Sequence, residues 1–291
     1  MGLLVAAGQK WSKDETLMAW LLYMELPEKE IDDKGEHIIK LAHALGRTPN
    51  SVALKAWNIA AHDERRLAKG KVGMSHGSKY DQEVWEDFED EGDALIVRAY
   101  ELLQTTLSSS ISIVSSEKSS TKSSADVLNL PEGKTRETLV ATRVNQSYFR
   151  NRLLENYQGR CCVTGLGVNN LLIASHIKPW STSDPATERL APDNGLLLNA
   201  LHDRAFDQGL ITIDKDLRIV VSPAVPKDDA AANRFLWEYE GCQIEEPLAF
   251  KPRSEFIEYH NDVIFRHDSS LEYDSSLWNG RSVDAIANAI L

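Results

Sequence analysis

Apolar residues recur at helical spacing through the first part of the chain. Ser12 precedes Glu15 in the capping-box pattern that begins helices, and apolar residues follow at intervals of three and four. The same spacing predicts a second helix over about 36–45, a third that opens at Thr48, and an acidic helix over about 81–107. The N-terminal part is therefore predicted to be all helical.

The hydrophobic pattern changes in the second half, where short apolar runs replace the helical spacing. One run, at 171–174, ends next to His176, and another, at 195–198, begins just after Asn194. A helical pattern follows directly, and alternating residues over 210–221 then predict a hairpin. Strand, loop, strand and helix, behind a helical N-terminal part, predict an α+β fold class.

A serine-rich stretch divides the two patterns. Ten of the 17 residues at 108–124 are serine, and such a segment lacks the apolar surface that would offset the entropy of ordering it. We predict a helical domain at 1–107, a linker at 108–133 and a second domain at 134–291.

Charge is distributed unevenly along the chain. The 291 residues carry 32 Lys and Arg against 44 Asp and Glu, a net charge of −12, which argues against a protein that coats nucleic acid passively. The segments 36–79 and 134–184 are nevertheless basic, with eight cations against three acids and seven against three. An enzyme that meets nucleic acid through local positive charge stays open.

The chain shows none of the sequence signs of secretion or membrane insertion. No apolar run approaches the roughly 18 residues of a spanning helix, and the first ten residues lack a basic region before the apolar one. Two of the three cysteines are adjacent, which does not make a disulfide framework. We expect a cytoplasmic protein with no membrane partner.

The second and third predicted helices have the outline of a helix-turn-helix, with Gly46 in the turn. This segment resembles Myb/SANT-like three-helix domains. The resemblance is carried by Trp11, by Gly46-Arg47-Thr48 and by Trp57-Asn58. It implies that Asn50, Ser51 and Lys55 face a DNA groove and that Arg47 contacts a phosphate. A helical packing domain without DNA contact is the alternative.

Three ordered segments of the second half resemble the HNH nucleases, whose core is the ββα-metal fold. They are Ser175-His176-Ile177-Lys178-Pro179-Trp180, Asp193-Asn194-Gly195-Leu196 and His202-Asp203-Arg204-Ala205-Phe206-Asp207. The upstream Arg143-x-Asn145-Gln146-x-x-Phe149-Arg150 and Cys162-Val163-Thr164-Gly165 resemble what precedes this core in restriction-type HNH proteins. The resemblance covers about residues 140–265.

The resemblance implies a site for phosphodiester hydrolysis, which needs a base for water and a cation beside the leaving oxygen. His176 would be the base, because the pKa of a free imidazole lies near neutrality, and Asn194 would fix the orientation of its loop. Asp203 would hold a divalent metal, with Asp207 one helical turn further on and His202 as a third candidate ligand. Oxygen donors favour Mg²⁺ or Mn²⁺.

The chain departs from the family pattern at three places. Many HNH enzymes carry Asp or His just before the base, where this chain has Ser175, and Asp203 stands where His is commoner. Many also carry two Cys-x-x-Cys knuckles for a structural zinc. In this chain those positions hold Cys161, Thr164, Asn199 and His202. We therefore predict no structural zinc.

These patterns together predict a metal-dependent HNH endonuclease that cuts duplex DNA, with restriction or phage defence as the role that the resemblance implies. Cleavage of both strands by one site per chain would favour a homodimer.

Further candidate DNA contacts are Arg143, Gln146, Arg150 and Lys178. Packing of an amphipathic helix on the core explains the first three nearly as well. The alternatives are a DNA-binding regulator that keeps the fold without catalysis, and an RNase or structure-selective nickase. His260 lies in another segment that resembles these proteins, and we assign it no role.

Overall fold

A computed structural model describes residues 10–63, 77–114, 134–185 and 187–268. Most of the predicted linker and the basic residues at 64–76 lie outside these ranges. The helical part contains α1 (Lys13–Glu25), α2 (Glu36–Ala44), α3 (Pro49–Ala60), α4 (Lys79–Glu91) and α5 (Asp93–Val114). The part that follows contains α6 (Lys134–Asn156), β1 (Leu172–His176), β2 (Gly195–Asn199), α7 (Ala200–Asp207), β3 (Ile211–Ile213), β4 (Ile219–Val221), α8 (Ala230–Phe235) and α9 (Ser254–Tyr259). Within the described ranges, no helix is both long and apolar enough to cross a bilayer.

Helix α1 lies at the centre of the helical part. Its start is the capping box predicted from the sequence: Ser12 Oγ accepts from the Glu15 amide at 3.1 Å, and Glu15 Oε2 accepts from the Ser12 amide at 2.8 Å. Residues 16–24 are all buried, because α3, α4, α5 and α6 pack around this helix. A helix that is covered on every side belongs to a core rather than to a surface.

The turn between α2 and α3 follows the sequence signals closely. Gly46 adopts φ +63, a left-handed conformation that glycine reaches without strain. Thr48 Oγ1 then accepts from the Ser51 amide at 3.2 Å, with Pro49 in the first turn of α3. The predicted start of α3 is confirmed, and α2 ends at Ala44, one residue before its predicted end.

The predicted acidic helix is two helices. Gly92, with φ +55, separates α4 from α5. Helix α5 then continues to Val114, so the first residues of the predicted linker are helical. The serines there are compatible with a helix because Ser109 Oγ donates to the Thr105 carbonyl at 2.8 Å, a bond that stays within the helix.

Helix α6 joins the helical part to the strands. It packs against α1 and α5 on one side and against β1 and β2 on the other. Asn151 Nδ2 donates to the Glu25 carbonyl at 3.2 Å, and Asn145 Nδ2 donates to Asp93 Oδ1 at 2.9 Å. The two predicted domains therefore share this helix as a common packing element.

The strands of the second part form two small antiparallel sheets. In the first sheet β1 pairs with β2, and His176 lies opposite Gly195. Helix α7 begins directly after β2, so its first turn lies beside both strands. In the second sheet β3 pairs with β4, as the alternating pattern predicted. The resulting strand, strand, helix order places the candidate base and the candidate metal ligands on adjoining elements.

Candidate active site

The candidate base lies at the end of β1, held by a carbonyl and by two aromatic rings. His176 Nε2 is 2.9 Å from the Arg189 carbonyl oxygen. The Phe149 ring stacks on the imidazole with centroids 3.8 Å apart and planes 10° apart, and Trp180 meets it edge-on at 5.6 Å. A carbonyl oxygen can only accept, so Nε2 carries the hydrogen and Nδ1 is left as an acceptor. Burial lowers the pKa of His176, which keeps the imidazole neutral at neutral pH.

Asn194 holds the loop that supplies this carbonyl. Its side chain is fully buried, and its Oδ1 accepts from the Lys178 amide at 2.8 Å. Its Nδ2 donates to the carbonyls of Lys178 and Glu188, at 3.2 and 3.3 Å, and to Ser183 Oγ at 3.2 Å. These bonds join both ends of the loop between β1 and β2, so Asn194 orients His176 indirectly through Arg189.

Two carboxyl groups lie on α7, one helical turn apart. Asp203 is half-buried, and Asp207 is exposed. Burial, followed by the charge of Asp207, raises the pKa of Asp203 to about 6. The Ser175 hydroxyl opposes this shift and lowers the pKa of Asp203. Ser175 Oγ is buried and makes no hydrogen bond of regular geometry within the described ranges, yet it lies close enough to act on this carboxyl group.

His202 faces a different environment from Asp203. Its imidazole is buried, with Nδ1 3.1 Å from Asn199 Oδ1 and the ring edge-on to Tyr239 at 5.2 Å. Consecutive helical residues point about 100° apart, which explains the separation. Across the described residues no three His, Cys, Asp or Glu side chains are grouped so as to hold a metal ion. The structure therefore does not bring His202 together with the two carboxyl groups as a third ligand.

The four positions that correspond to the zinc knuckles do lie together, joined by hydrogen bonds. The Asn199 amide nitrogen of the backbone is 3.2 Å from Cys161 Sγ, and Asn199 Nδ2 donates to Thr164 Oγ1 at 3.2 Å. Asn199 Oδ1 also accepts from the amide of His202 at 3.0 Å, which caps α7. This set offers one thiol and one imidazole, so it lacks the four sulfur or nitrogen donors of a structural zinc site.

The candidate DNA contacts of the second part fall into two groups. Arg143 and Gln146 are exposed on α6. Arg150 instead donates to the Leu172 carbonyl at 2.6 Å and to the Asn169 carbonyl at 2.9 Å. Lys178 pairs with Glu188 at 2.6 Å. Arg150 and Lys178 therefore hold the loops around β1, and the structure supports a DNA contact for Arg143 and Gln146 only by their exposure.

The two cations predicted to reach DNA from the helical part are engaged inside it. Arg47 pairs with Glu15 at 2.9 Å and lies over the Trp11 ring. Lys55 is 3% exposed, and its ammonium group pairs with the buried Asp81. Their partners, Glu15 and Asp81, lie in distant segments of the chain, so the sequence around Arg47 and Lys55 does not indicate these pairs. Both cations therefore stabilise the helical part, and neither is available for a DNA contact.

Asn50 and Ser51 lie at the start of α3. Asn50 is exposed and Ser51 is half-buried. Their contact with DNA stays a prediction, as does the resemblance of this part to Myb/SANT-like domains.

Two contributors to the site were not assigned from the sequence. Phe149 belongs to the upstream segment that resembled restriction-type proteins, and its position three residues after Gln146 was the available signal. The sequence does not indicate that Arg189 supplies the carbonyl, because any residue type can supply a backbone oxygen.

His260 has a structural position in this fold. It is buried, its ring stacks on Phe206 at 3.7 Å, and its Nδ1 is 2.9 Å from Thr212 Oγ1. Its Nε2 lies 3.2 Å from the Phe206 carbonyl, and burial lowers the pKa of His260 to about 4. His260 therefore ties the C-terminal helices to the end of α7.

Comparison with known families agrees with this geometry. The family model HNH_2, described as HNH endonuclease, matches residues 161–214. The matched range contains β1, β2, α7 and β3, and with them His176, Asn194 and Asp203. The chain therefore carries an HNH endonuclease domain in its C-terminal half. No curated protein matches the chain. An HNH domain indicates a nuclease-type function with DNA as the substrate, and HNH nucleases generally use a divalent metal ion.

Proposed function

We propose that this protein is a metal-dependent HNH endonuclease with a ββα-metal core, in which His176 is the general base for hydrolysis of DNA phosphodiester bonds. The observation that carries the proposal is the contact of the His176 imidazole with a backbone carbonyl. Its Nε2 faces the Arg189 carbonyl at 2.9 Å, which leaves Nδ1 to accept a proton. A lowered pKa keeps this nitrogen unprotonated at neutral pH.

In this mechanism Nδ1 of His176 takes a proton from a water molecule. The water oxygen then forms a bond to phosphorus while the bond from phosphorus to the 3′ oxygen breaks. The products are a 5′-phosphate and a 3′-hydroxyl, the latter protonated from solvent. Asn194 does not react; it keeps the loop that holds the imidazole in the position that this transfer requires.

The residues on α7 fit a divalent cation. Asp203 is a half-buried carboxyl group whose pKa is raised to about 6 by burial and by Asp207, so a cation beside it would favour its charged form. Ser175 Oγ, buried beside it, adds a second oxygen. Oxygen donors suit Mg²⁺ or Mn²⁺. When bound, the cation would neutralise charge on the phosphorus oxygens and on the departing 3′ oxygen. Asp203 would hold it, with Asp207 as the adjoining carboxylate.

Duplex DNA and a role in restriction or phage defence are the proposed context, supported by the restriction-type upstream segment. Arg143 and Gln146, exposed on α6, are the proposed contacts of the nuclease part with phosphates. Asn50 and Ser51 of the helical part are the residues proposed to face a DNA groove. A homodimer would place one active site on each strand.

The second candidate is a DNA-binding regulator that keeps the fold without catalysis. Ser175 favours it, because a neutral hydroxyl stands where many HNH enzymes carry a metal ligand. The two functions differ in whether DNA is cut and share DNA binding.

The deciding experiment compares wild type with His176→Ala on phage and genomic DNAs of differing modification, with Mg²⁺ or Mn²⁺. His43→Ala, at an exposed histidine of α2, is the matched control. We expect metal-dependent cutting by wild type and by the control, and its loss in His176→Ala. Cutting that survives in His176→Ala would remove His176 as the base. If wild type binds DNA but cuts neither DNA nor RNA, the result would favour the regulator.

A further inference from the structure

The Phe149 ring covers one face of the His176 imidazole, while Trp180 meets the imidazole edge-on. Phe149 lies parallel to it within 10°, at 3.8 Å between centroids, and is 2% exposed. The Arg189 carbonyl fixes one edge of the imidazole, but a single hydrogen bond still allows the ring to rotate about that bond. A flat surface against the ring face removes this freedom, because stacked rings at this distance cannot rotate past each other.

The Phe149 ring packs against Gly195, where a residue with a side chain would collide with it. A Cβ atom at Gly195 would lie 2.6 Å from Phe149 Cζ and 2.7 Å from Leu153 Cδ1. Gly195 is also the residue that pairs with His176 across the sheet. The absence of a side chain at Gly195 therefore lets α6 approach β2 closely enough to press the phenyl ring onto the imidazole.

The same helical turn of α6 is anchored in the helical part. Tyr148, the residue before Phe149, is buried and donates its hydroxyl to Asp63 Oδ2 at 2.5 Å. Tyr23 of α1 donates to the same oxygen at 2.8 Å. Asp63 is 1% exposed, so these two buried hydrogen bonds join α6 to α1 through one carboxyl group. The position of Phe149 is thus tied to residues far from the nuclease segment.

We propose that Phe149 is a positioning residue for the general base, and that Tyr148, through its bond to Asp63, anchors the helical turn that carries it. The proposal rests on the proposed function, since it takes His176 as the base. It extends that function by giving the helical part a role in catalysis: Asp63, through its bond to Tyr148, holds α6 in the position that orients His176 Nδ1 towards the attacking water.

The first test compares Phe149→Leu with Leu153→Val. Both changes remove carbon atoms from buried residues of α6 that pack against Gly195, but only Phe149 stacks on His176. We expect kcat to fall by about 10- to 100-fold in Phe149→Leu with KM unchanged, because a misplaced base affects the chemical step and not substrate binding. Equal effects of the two variants on kcat would overturn the proposal.

A second readout does not depend on cleavage. A phenyl ring stacked on an imidazole shifts the carbon-bound ring protons of His176 upfield in the NMR spectrum. We expect Phe149→Leu to abolish this shift and Leu153→Val to keep it. If wild type cuts no DNA, the spectra still decide whether Phe149 orients His176. Unchanged His176 signals in Phe149→Leu would overturn the proposal, whatever the nuclease assay shows.

The anchor is tested by removing single hydroxyl groups. Tyr148→Phe and Tyr23→Phe each delete one hydrogen bond to Asp63 Oδ2. If the two hydroxyl groups only stabilise the fold, both variants should lose a similar amount of Tm and neither should change kcat. We expect instead a lower kcat and altered His176 signals in Tyr148→Phe, with Tyr23→Phe close to wild type in both. Equal behaviour of the two variants would overturn the role of the anchor.

Discussion

The carboxyl groups of Asp203 and Asp207 lie one turn apart on α7, and their mutual repulsion adds to burial in raising the pKa of Asp203 to about 6. A site that disfavours its own negative charge is stabilised by a cation. The proposed metal site and the perturbed carboxyl group therefore have the same physical origin.

Metal binding should follow from this pair. We expect Mn²⁺ or Mg²⁺ to raise the Tm of wild type, and we expect Asp203→Asn to remove that increase, since it deletes the ligand charge. Asp228→Asn, at an exposed aspartate outside the site, is the control. Differential scanning calorimetry with and without metal measures the effect. An equal increase in Asp203→Asn and wild type would rule out Asp203 as a ligand.

The same carboxyl group gives metal binding a pH dependence. Protons compete with the cation for Asp203 below its pKa of about 6. Metal affinity should therefore be constant above about pH 7 and fall by about tenfold for each pH unit below 6. Isothermal titration between pH 5 and 8 measures it. Affinity that is flat down to pH 5 would contradict the shifted pKa.

His260 should make the folding stability depend on pH. Its pKa in the folded state is about 4, against 6.5 for the free side chain, so between these values the unfolded chain binds more protons. Stability therefore rises with pH through this window, and the contribution lost by pH 4 amounts to about 2–3 kcal/mol. Urea unfolding at pH 4.5 and 7.5 should show a smaller difference in His260→Gln than in wild type. His37→Gln, at an exposed histidine, should keep the wild-type difference.

Asn194 should be required for both stability and cleavage. Asn194→Ala removes the four hydrogen bonds that this buried side chain makes with Lys178, Ser183 and Glu188, at a cost of about 2–3 kcal/mol. The freed loop also releases the Arg189 carbonyl, so kcat should fall as well. Asn233→Ala removes a single exposed bond to the Lys227 carbonyl and should change stability by less than about 1 kcal/mol. Equal behaviour of the two variants would contradict the role of Asn194.

Arg143 and Arg150 should differ in their effect on DNA binding. Arg143 is exposed, so Arg143→Ala should reduce the salt dependence of DNA affinity by about one phosphate contact with little change in Tm. Arg150 serves the Leu172 and Asn169 carbonyls, so Arg150→Ala should lower Tm and leave the salt slope unchanged. Fluorescence anisotropy at several salt concentrations separates the two. The reverse pattern would assign the phosphate contact to Arg150.

Most local elements and the identity of the domain could be predicted from the sequence, although Gly92 divides the predicted acidic helix into two. The capping box at Ser12, the turn at Gly46 and the helix start at Thr48 were readable because each depends on residues only a few positions apart. The ordered segments around His176, Asn194 and Asp203 were readable for a similar reason, since spacing and residue type identify an HNH domain without knowledge of packing.

Which of these side chains are available for chemistry depends on how the chain packs. The sequence predicted a DNA contact for Lys55, which the distant Asp81 instead pairs with. It predicted a metal ligand at His202, whose buried imidazole instead lies against the distant Tyr239. Phe149 gained its role by lying against His176 across the interface of α6 and the sheet. Hydrogen bonds, ion pairs and ring contacts between segments far apart in sequence are fixed by packing, and a linear pattern holds no record of which partners packing will bring together.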